Sequence, residues 1–206
     1  MFITFEGPEG SGKTLQLARL VDYLEEYNFP VLATREPGGT TIGEQIREVL
    51  HKLENTKMHP RTELLLYQAS RAQHVEQVIL PNLEQGKIVL CDRYADSTLA
   101  YQGYGHQLDL DQLSRLINFA TGGLKPDMTL LLDVDAEEGL KRRQQGGEWN
   151  RLDAYELEFH QRVRKGYLEL AQQEPERWVK IDAGKPPEEV QRAIRQVVMQ
   201  RLGALS

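Results

Sequence analysis

The sequence predicts an α/β protein in which a five-stranded parallel sheet is flanked by helices on both faces. Two observations carry this. Short apolar runs alternate with longer amphipathic stretches along the chain. A glycine-rich segment ending in Lys-Thr joins the first apolar run to the first amphipathic one. With 206 residues, 40% of them hydrophobic, the chain is long enough to bury such a core as one domain, residues 1–206.

The apolar runs place strands at residues 2–6, 30–34, 88–91, 129–134 and 178–181. Between them, apolar residues at helical spacing predict helices over 13–27, 41–53, 61–83, 110–121, 136–144, 154–173 and 187–202. Pro81 should kink or shorten the third helix. Gly38-Gly39, Gly103 with Gly105, Gly122-Gly123 and Gly146-Gly147 mark flexible connections, none of them long enough to be a domain linker.

Gly7-Pro8-Glu9-Gly10-Ser11-Gly12-Lys13-Thr14 matches G-x-x-x-x-G-K-[ST], directly after the first strand and directly before the first helix. This sequence is a P-loop. Its glycines let backbone N–H groups converge on an anion, and the helix N-terminus adds unpaired donors and a favourable dipole. Lys13 would reach the β- and γ-phosphates of ATP, and the Thr14 hydroxyl would ligate Mg²⁺. Asp92, at the tip of the third strand, is the natural second oxygen ligand for that metal. The fold expected is therefore P-loop NTPase-like.

Twenty-five basic against 31 acidic residues give a net charge of −6, which leaves no electrostatic footprint for DNA or RNA. Positive charge must then be concentrated in one cleft. Arg35 and Arg93 follow strands two and three, Arg71 lies in a helix, and Arg142, Arg143 and Arg151 surround a glycine-containing segment. Guanidinium groups bind phosphate oxygens bidentately and suit a reaction that joins two phosphorylated substrates; an arginine taken alone is more often a surface ion pair, but Arg35 and Arg93 stand at strand ends, where ligands bind. Cys91 is the only cysteine, which excludes an intramolecular disulfide and reads as a buried strand residue. No signal peptide and no apolar run of roughly 20 residues is visible, so the expected location is the cytoplasm, away from any membrane.

Besides the P-loop, further strings stand in order: Phe5-Glu6-Gly7, Thr34-Arg35-Glu36-Pro37-Gly38-Gly39-Thr40, Tyr67-Gln68-Ala69-Ser70-Arg71-Ala72-Gln73-His74, Asp92-Arg93-Tyr94 with Ser97-Thr98, and Ala100-Tyr101-Gln102-Gly103. Together they resemble the thymidylate kinases, specifically the bacterial type. The resemblance runs from residue 2 to about residue 184. It implies transfer of the γ-phosphoryl group of Mg-ATP to dTMP, and a homodimer. Arg35 and Arg93 would hold the dTMP phosphate, Tyr67 would stack on thymine where phenylalanine is commoner, and Arg71 would bond the base beside Thr98 and Gln102. Tyr101 would crowd a 2′-hydroxyl, and Glu9 would lie near the 3′-hydroxyl; in the other type, a P-loop arginine helps catalysis instead.

The resemblance makes segment 141–153 a lid that supplies catalytic arginines, with Arg142, Arg143 and Arg151 as candidates. Gln144, Gln145 and Gly146 stand where relatives often carry basic residues, and Arg151 followed by Asp153 fits the decisive position best. Asp182-Ala183-Gly184 resembles the loop beside adenine and is equally readable as an ordinary strand-to-helix turn. A kinase for another monophosphate, or a regulatory NTPase, is the alternative. The second lacks support, since no N-K-x-D loop for guanine is present.

Overall fold

A computed structural model describes residues 1–146 and 149–203. Five strands, β1 (Phe2–Glu6), β2 (Val31–Arg35), β3 (Ile88–Asp92), β4 (Met128–Asp133) and β5 (Trp178–Asp182), form one parallel sheet in the order β2-β3-β1-β4-β5. The chain builds first to one side of β1 and then to the other, so β1 lies at the switch point where such sheets bind ligands. Every residue of β1 is buried, including the polar Thr4 and Glu6, as befits the central strand of a sheet covered on both faces.

Side chains alternate across the sheet. Ile3, Phe5, Leu130 and Leu132 pack on one face against α1 (Lys13–Glu26) and α9 (Pro187–Gly203) through Leu20, Leu24, Ile194 and Val198. Phe2, Val89 and Cys91 face the other way, towards Val75, Ile79 and Tyr94. On that face Leu131 and Trp178 also meet Phe159, Val163 and Tyr167 of α8 (Leu157–Gln173). In the ladder Arg35 pairs with Asp92, and Asp92 with Phe5. Strand pairing alone thus delivers Glu6, Arg35 and Asp92 to one edge of the sheet.

The remaining helices are α2 (Thr41–His51), α3 (Pro60–His74), α4 (Leu80–Glu84), α5 (Ala95–Thr98), α6 (Leu110–Thr121) and α7 (Ala136–Gln145). Three departures from the sequence reading have physical causes. The helix expected over 61–83 opens into a π-helical turn, Val75–Ile79, before resuming as α4, because Pro81 has no N–H to give the preceding turn. Gly103 and Gly105 are not a flexible connection but part of a buried π-helical stretch, Leu99–Gly105. A Cβ on Gly105 would strike Phe159, and one on Gly103 would strike Leu110. The helix expected from 154 starts at Leu157. Residues ahead of it turn on Asn150, whose Oδ1 accepts from Leu152 N (2.8 Å) and whose N–H donates to Asp153 Oδ2 (2.8 Å). Gly147, half of one expected hinge, lies outside the described residues.

Candidate active site

Between β1 and α1 the loop carries Gly7, Gly10 and Gly12, all at positive φ (143°, 68° and 83°). A Cβ on Gly10 would run into the backbone of Gly139 in α7, and one on Gly7 into the Leu132 carbonyl, so the loop can only be this close to β4 and α7 without side chains there. Lys13 Nζ donates to Gly7 O (3.1 Å), Pro8 O (2.8 Å) and Ser11 Oγ (3.1 Å). Burial, reinforced by the charge of Arg93, lowers the ammonium to about 8, against the opposing pull of Glu9, Asp92 and Glu6.

Thr14 Oγ1 donates to Asp92 Oδ2 at 2.6 Å, which sets a hydroxyl and a carboxylate oxygen side by side at the start of α1. Two adjacent oxygens fit a hard cation that takes its other ligands from water and nucleotide phosphates. Among the described residues no group of three or more His, Cys, Asp or Glu could hold a metal by itself.

Arg93 adopts a left-handed backbone (φ 69°), an uncommon conformation for a residue with a side chain. That turn swings its guanidinium over the P-loop. Nη1 donates to Gly7 O (3.1 Å) and Tyr167 Oη (3.1 Å), and Nη2 to Glu9 Oε1 (2.8 Å) and Tyr101 Oη (2.9 Å). Burial would raise the Glu9 carboxyl, but Arg93 and Lys13 outweigh it and hold the group at about 2. Behind Arg93, the buried Glu6 carboxylate accepts from Tyr94 N (2.8 Å), Ser97 Oγ (2.6 Å) and Tyr167 Oη (2.8 Å). Burial and the nearby Asp96 push Glu6 up to about 7, against Ser97, Arg93 and Tyr167.

Tyr67, Arg71, Thr98, Tyr101 and Gln102 line a cavity that Glu9 and Arg93 also line. Glu9, Tyr67 and Arg93 are shared with a larger open cleft that holds Lys13, Thr14 and Asp92. The sequence-derived acceptor residues therefore converge on one wall-to-wall space beside the P-loop. Arg35 reaches the same cleft with Nη2 paired to both oxygens of Glu44 (2.9 Å each).

Arg47 and His51 also line the cleft and escaped the sequence reading. Gly43, Arg47 and His51 recur every four residues on α2, immediately after the Arg35–Thr40 string, and that spacing was the available signal. Burial, with Arg47 beside it, lowers His51 to about 4, so its imidazole is neutral at pH 7.

Arg142 and Arg143 of α7 line the cleft. Arg142 Nη1 donates to Ala183 O (2.8 Å), tying α7 to the loop after β5, and Arg143 pairs with Asp153. Arg151, favoured by the sequence, is placed differently. Its Nε donates to Leu50 O (2.9 Å), Nη1 to Tyr155 Oη (2.7 Å) and Nη2 to the buried Glu63, and it is not among the cleft residues. A carboxylate buried in α3 demands a counter-charge, and Arg151 supplies it.

An anion-binding loop at the switch point of a parallel sheet, opening onto a second cavity that shares a carboxylate and an arginine with it, defines a P-loop phosphotransferase. The family model for thymidylate kinase matches residues 5–194. A thymidylate kinase of Roseiflexus sp. (strain RS-1) is 51% identical, covering 100% of this chain and 96% of its own. One from Exiguobacterium sp. (strain ATCC BAA-1283 / AT1b) is 50% identical over 98% of this chain and 95% of its own. The crystal structure of thymidylate kinase from Ehrlichia chaffeensis superposes with a TM-score of 0.79 at 37% identity, covering 97% of this chain and 98% of that one. The chain belongs to the thymidylate kinase family.

Proposed function

We infer that this chain is a thymidylate kinase that transfers the γ-phosphoryl group of ATP to dTMP, giving dTDP and ADP. The observation that carries the reading is the continuity of the cavity lined by Tyr67, Arg71, Thr98 and Gln102 with the P-loop cleft through Glu9, Tyr67 and Arg93. A nucleoside in the cavity would have its phosphate beside the γ-phosphate site. Two anions repel, so most of the catalytic work is holding them in line while charge is stabilised.

In this reading Lys13 and the P-loop amides Gly7–Thr14 hold the ATP phosphates, with Arg142 and Arg143 approaching from α7. Arg35, Arg47 and Arg93 hold the dTMP phosphate, and Arg93 alone reaches both sides. Tyr67 stacks on the base, Arg71, Thr98 and Gln102 bond its edge, and Tyr101 with Glu9 faces the sugar. Thr14 and Asp92 would hold Mg²⁺, which when bound neutralises charge on the β- and γ-phosphate oxygens. The acceptor oxygen attacks the γ-phosphorus directly, with no covalent enzyme intermediate.

Segment 141–153 is proposed as the lid of a single-domain enzyme, with Arg151 anchoring its base to Glu63. A homodimer is proposed through exposed apolar residues on α2, α3 and α6: Ile42, Val49, Leu65 and Phe119. No described helix is long and apolar enough to cross a membrane, and a cytoplasmic location is proposed. The test is ADP release with dTMP, dUMP, UMP, CMP, AMP and thymidine as acceptors. A strong preference for dTMP is expected, and preference for any other acceptor overturns the assignment of the cavity.

A further inference from the structure

The hydrogen-bond polarity of the cavity walls is fixed from behind by groups that can only accept or only donate. Buried Glu36 receives Arg71 Nε on Oε2 (2.7 Å) and faces His74 Nδ1 through Oε1 (3.0 Å). Arg71, thus aimed, sends Nη1 to Gln68 Oε1 (3.2 Å) and Thr98 Oγ1 (2.9 Å), and Nη2 to the Tyr94 carbonyl (2.9 Å). A guanidinium has no acceptor, so the end of Gln68 that meets it must be the amide oxygen. The other end, Nε2, then lies 3.1 Å from Thr98 Oγ1 and donates to it.

Thr98 consequently receives two N–H groups on one oxygen, which fills both lone pairs. Its own hydrogen is left to donate, and Thr98 lines the cavity. The opposite polarity is fixed at Gln102. Glu63, fully buried, accepts from Gln102 Nε2 (2.7 Å), so the amide nitrogen is turned to the carboxylate and the amide oxygen is the end left for a ligand.

We propose that Gln68 and Glu63, neither among the lining residues, act as positioning residues that hold Thr98 as a donor and Gln102 as an acceptor, and thereby select a base with an oxo group at ring position 4 and an N–H at position 3. The inference rests on the reading of this cavity as the seat of the dTMP base. Thymine offers an acceptor at O4 and a donor at N3. A 4-aminopyrimidine offers the reverse at both atoms. Seated in the same pose, it would set donor against donor and acceptor against acceptor, and a site built to pair such groups rejects the mismatched analogue by about 10⁴–10⁵-fold.

The test compares kcat/KM for dTMP with that for 5-methyl-dCMP, which shares the methyl group, sugar and phosphate and differs only along the 3–4 edge. Gln68→Met removes one donor from Thr98, frees a lone pair and lets the hydroxyl turn. The expected result is at least a tenfold fall in the dTMP to 5-methyl-dCMP ratio, expressed in KM for the nucleotides, with KM for ATP within twofold of wild type. If Gln68→Met does not fold, Thr98→Val takes its place. It should raise the KM for dTMP at least tenfold and that for 5-methyl-dCMP less than twofold. A ratio unchanged within twofold in whichever variant folds overturns the inference while leaving the cavity assignment standing. A wild type with no preference for dTMP over other monophosphates overturns the assignment and the inference together.

Discussion

Arg93→Lys isolates the contribution of the guanidinium fork from that of positive charge. Lysine is as disfavoured as arginine at φ 69°, so the strained turn is common to both proteins. The native fork spans from the Gly7 carbonyl and Tyr167 on one nitrogen to Glu9 and Tyr101 on the other. A single ammonium cannot keep both ends and also meet a phosphate. Two charge-assisted hydrogen bonds lost, at about 1.5–3 kcal/mol each, give about 3–6 kcal/mol. Felt in the transition state, that is a loss of about 10²–10⁴ in kcat. The assay is ADP release at saturating ATP and dTMP, with thermal melting as the control for folding. A kcat within fivefold of wild type in a folded protein would refute the claim that Arg93 bridges the two phosphates.

Other expectations follow from the same geometry. Lys13, lowered to about 8 in the free enzyme, should regain its proton when ATP phosphates surround it. ATP binding at pH 8.5 should take up protons, and KM for ATP should climb above pH 8; calorimetry in buffers of different ionisation enthalpy that shows no uptake would count against this. Glu6, raised from 4.5 to about 7 in the folded state, contributes stability that is complete below pH 4.5 and lost as pH rises through 7, up to about 3 kcal/mol. Wild type should therefore lose stability relative to Glu6→Gln between pH 5 and pH 8 in denaturant titrations, and parallel curves would exclude it. Arg151→Ala takes the permanent positive charge from buried Glu63, leaving it the His106 imidazole at 3.2 Å, and should cost about 3–5 kcal/mol, or roughly 6–20 °C in Tm. Arg142→Ala and Arg143→Ala should instead lower kcat/KM for ATP with small changes in Tm, and the reverse pattern would return Arg151 to the phosphate cleft.

The sheet and the P-loop were legible because their signals are local. The strands read as short runs rich in apolar residues, and the loop is a contiguous string whose glycines answer to β4 and α7 pressing on it. Tyr67, Arg71, Thr98, Tyr101 and Gln102 were placed in one cavity by motif order, and the structure brings them to the same walls. What escaped was long-range. Gln68 matters through Thr98, Glu63 through Gln102 and Arg151, and no periodicity records a partner 30 to 88 residues away. The pairing of Arg151 with Glu63 is of the same kind, since the spacing of Arg151 to Asp153 says nothing about a carboxylate in α3. The π-helical stretch Leu99–Gly105 hid behind glycines that look like punctuation and are in fact clearance for Phe159 and Leu110.

A crystal structure with dTMP bound tests the central claim most directly. The account predicts thymine stacked on Tyr67 with O4 towards Arg71 and Thr98, N3 towards Gln102, and the phosphate between Arg35, Arg47 and Arg93 beside the loop at Gly7. A nucleotide whose base lies outside that cavity, or whose phosphate makes no contact with Arg93, would contradict it.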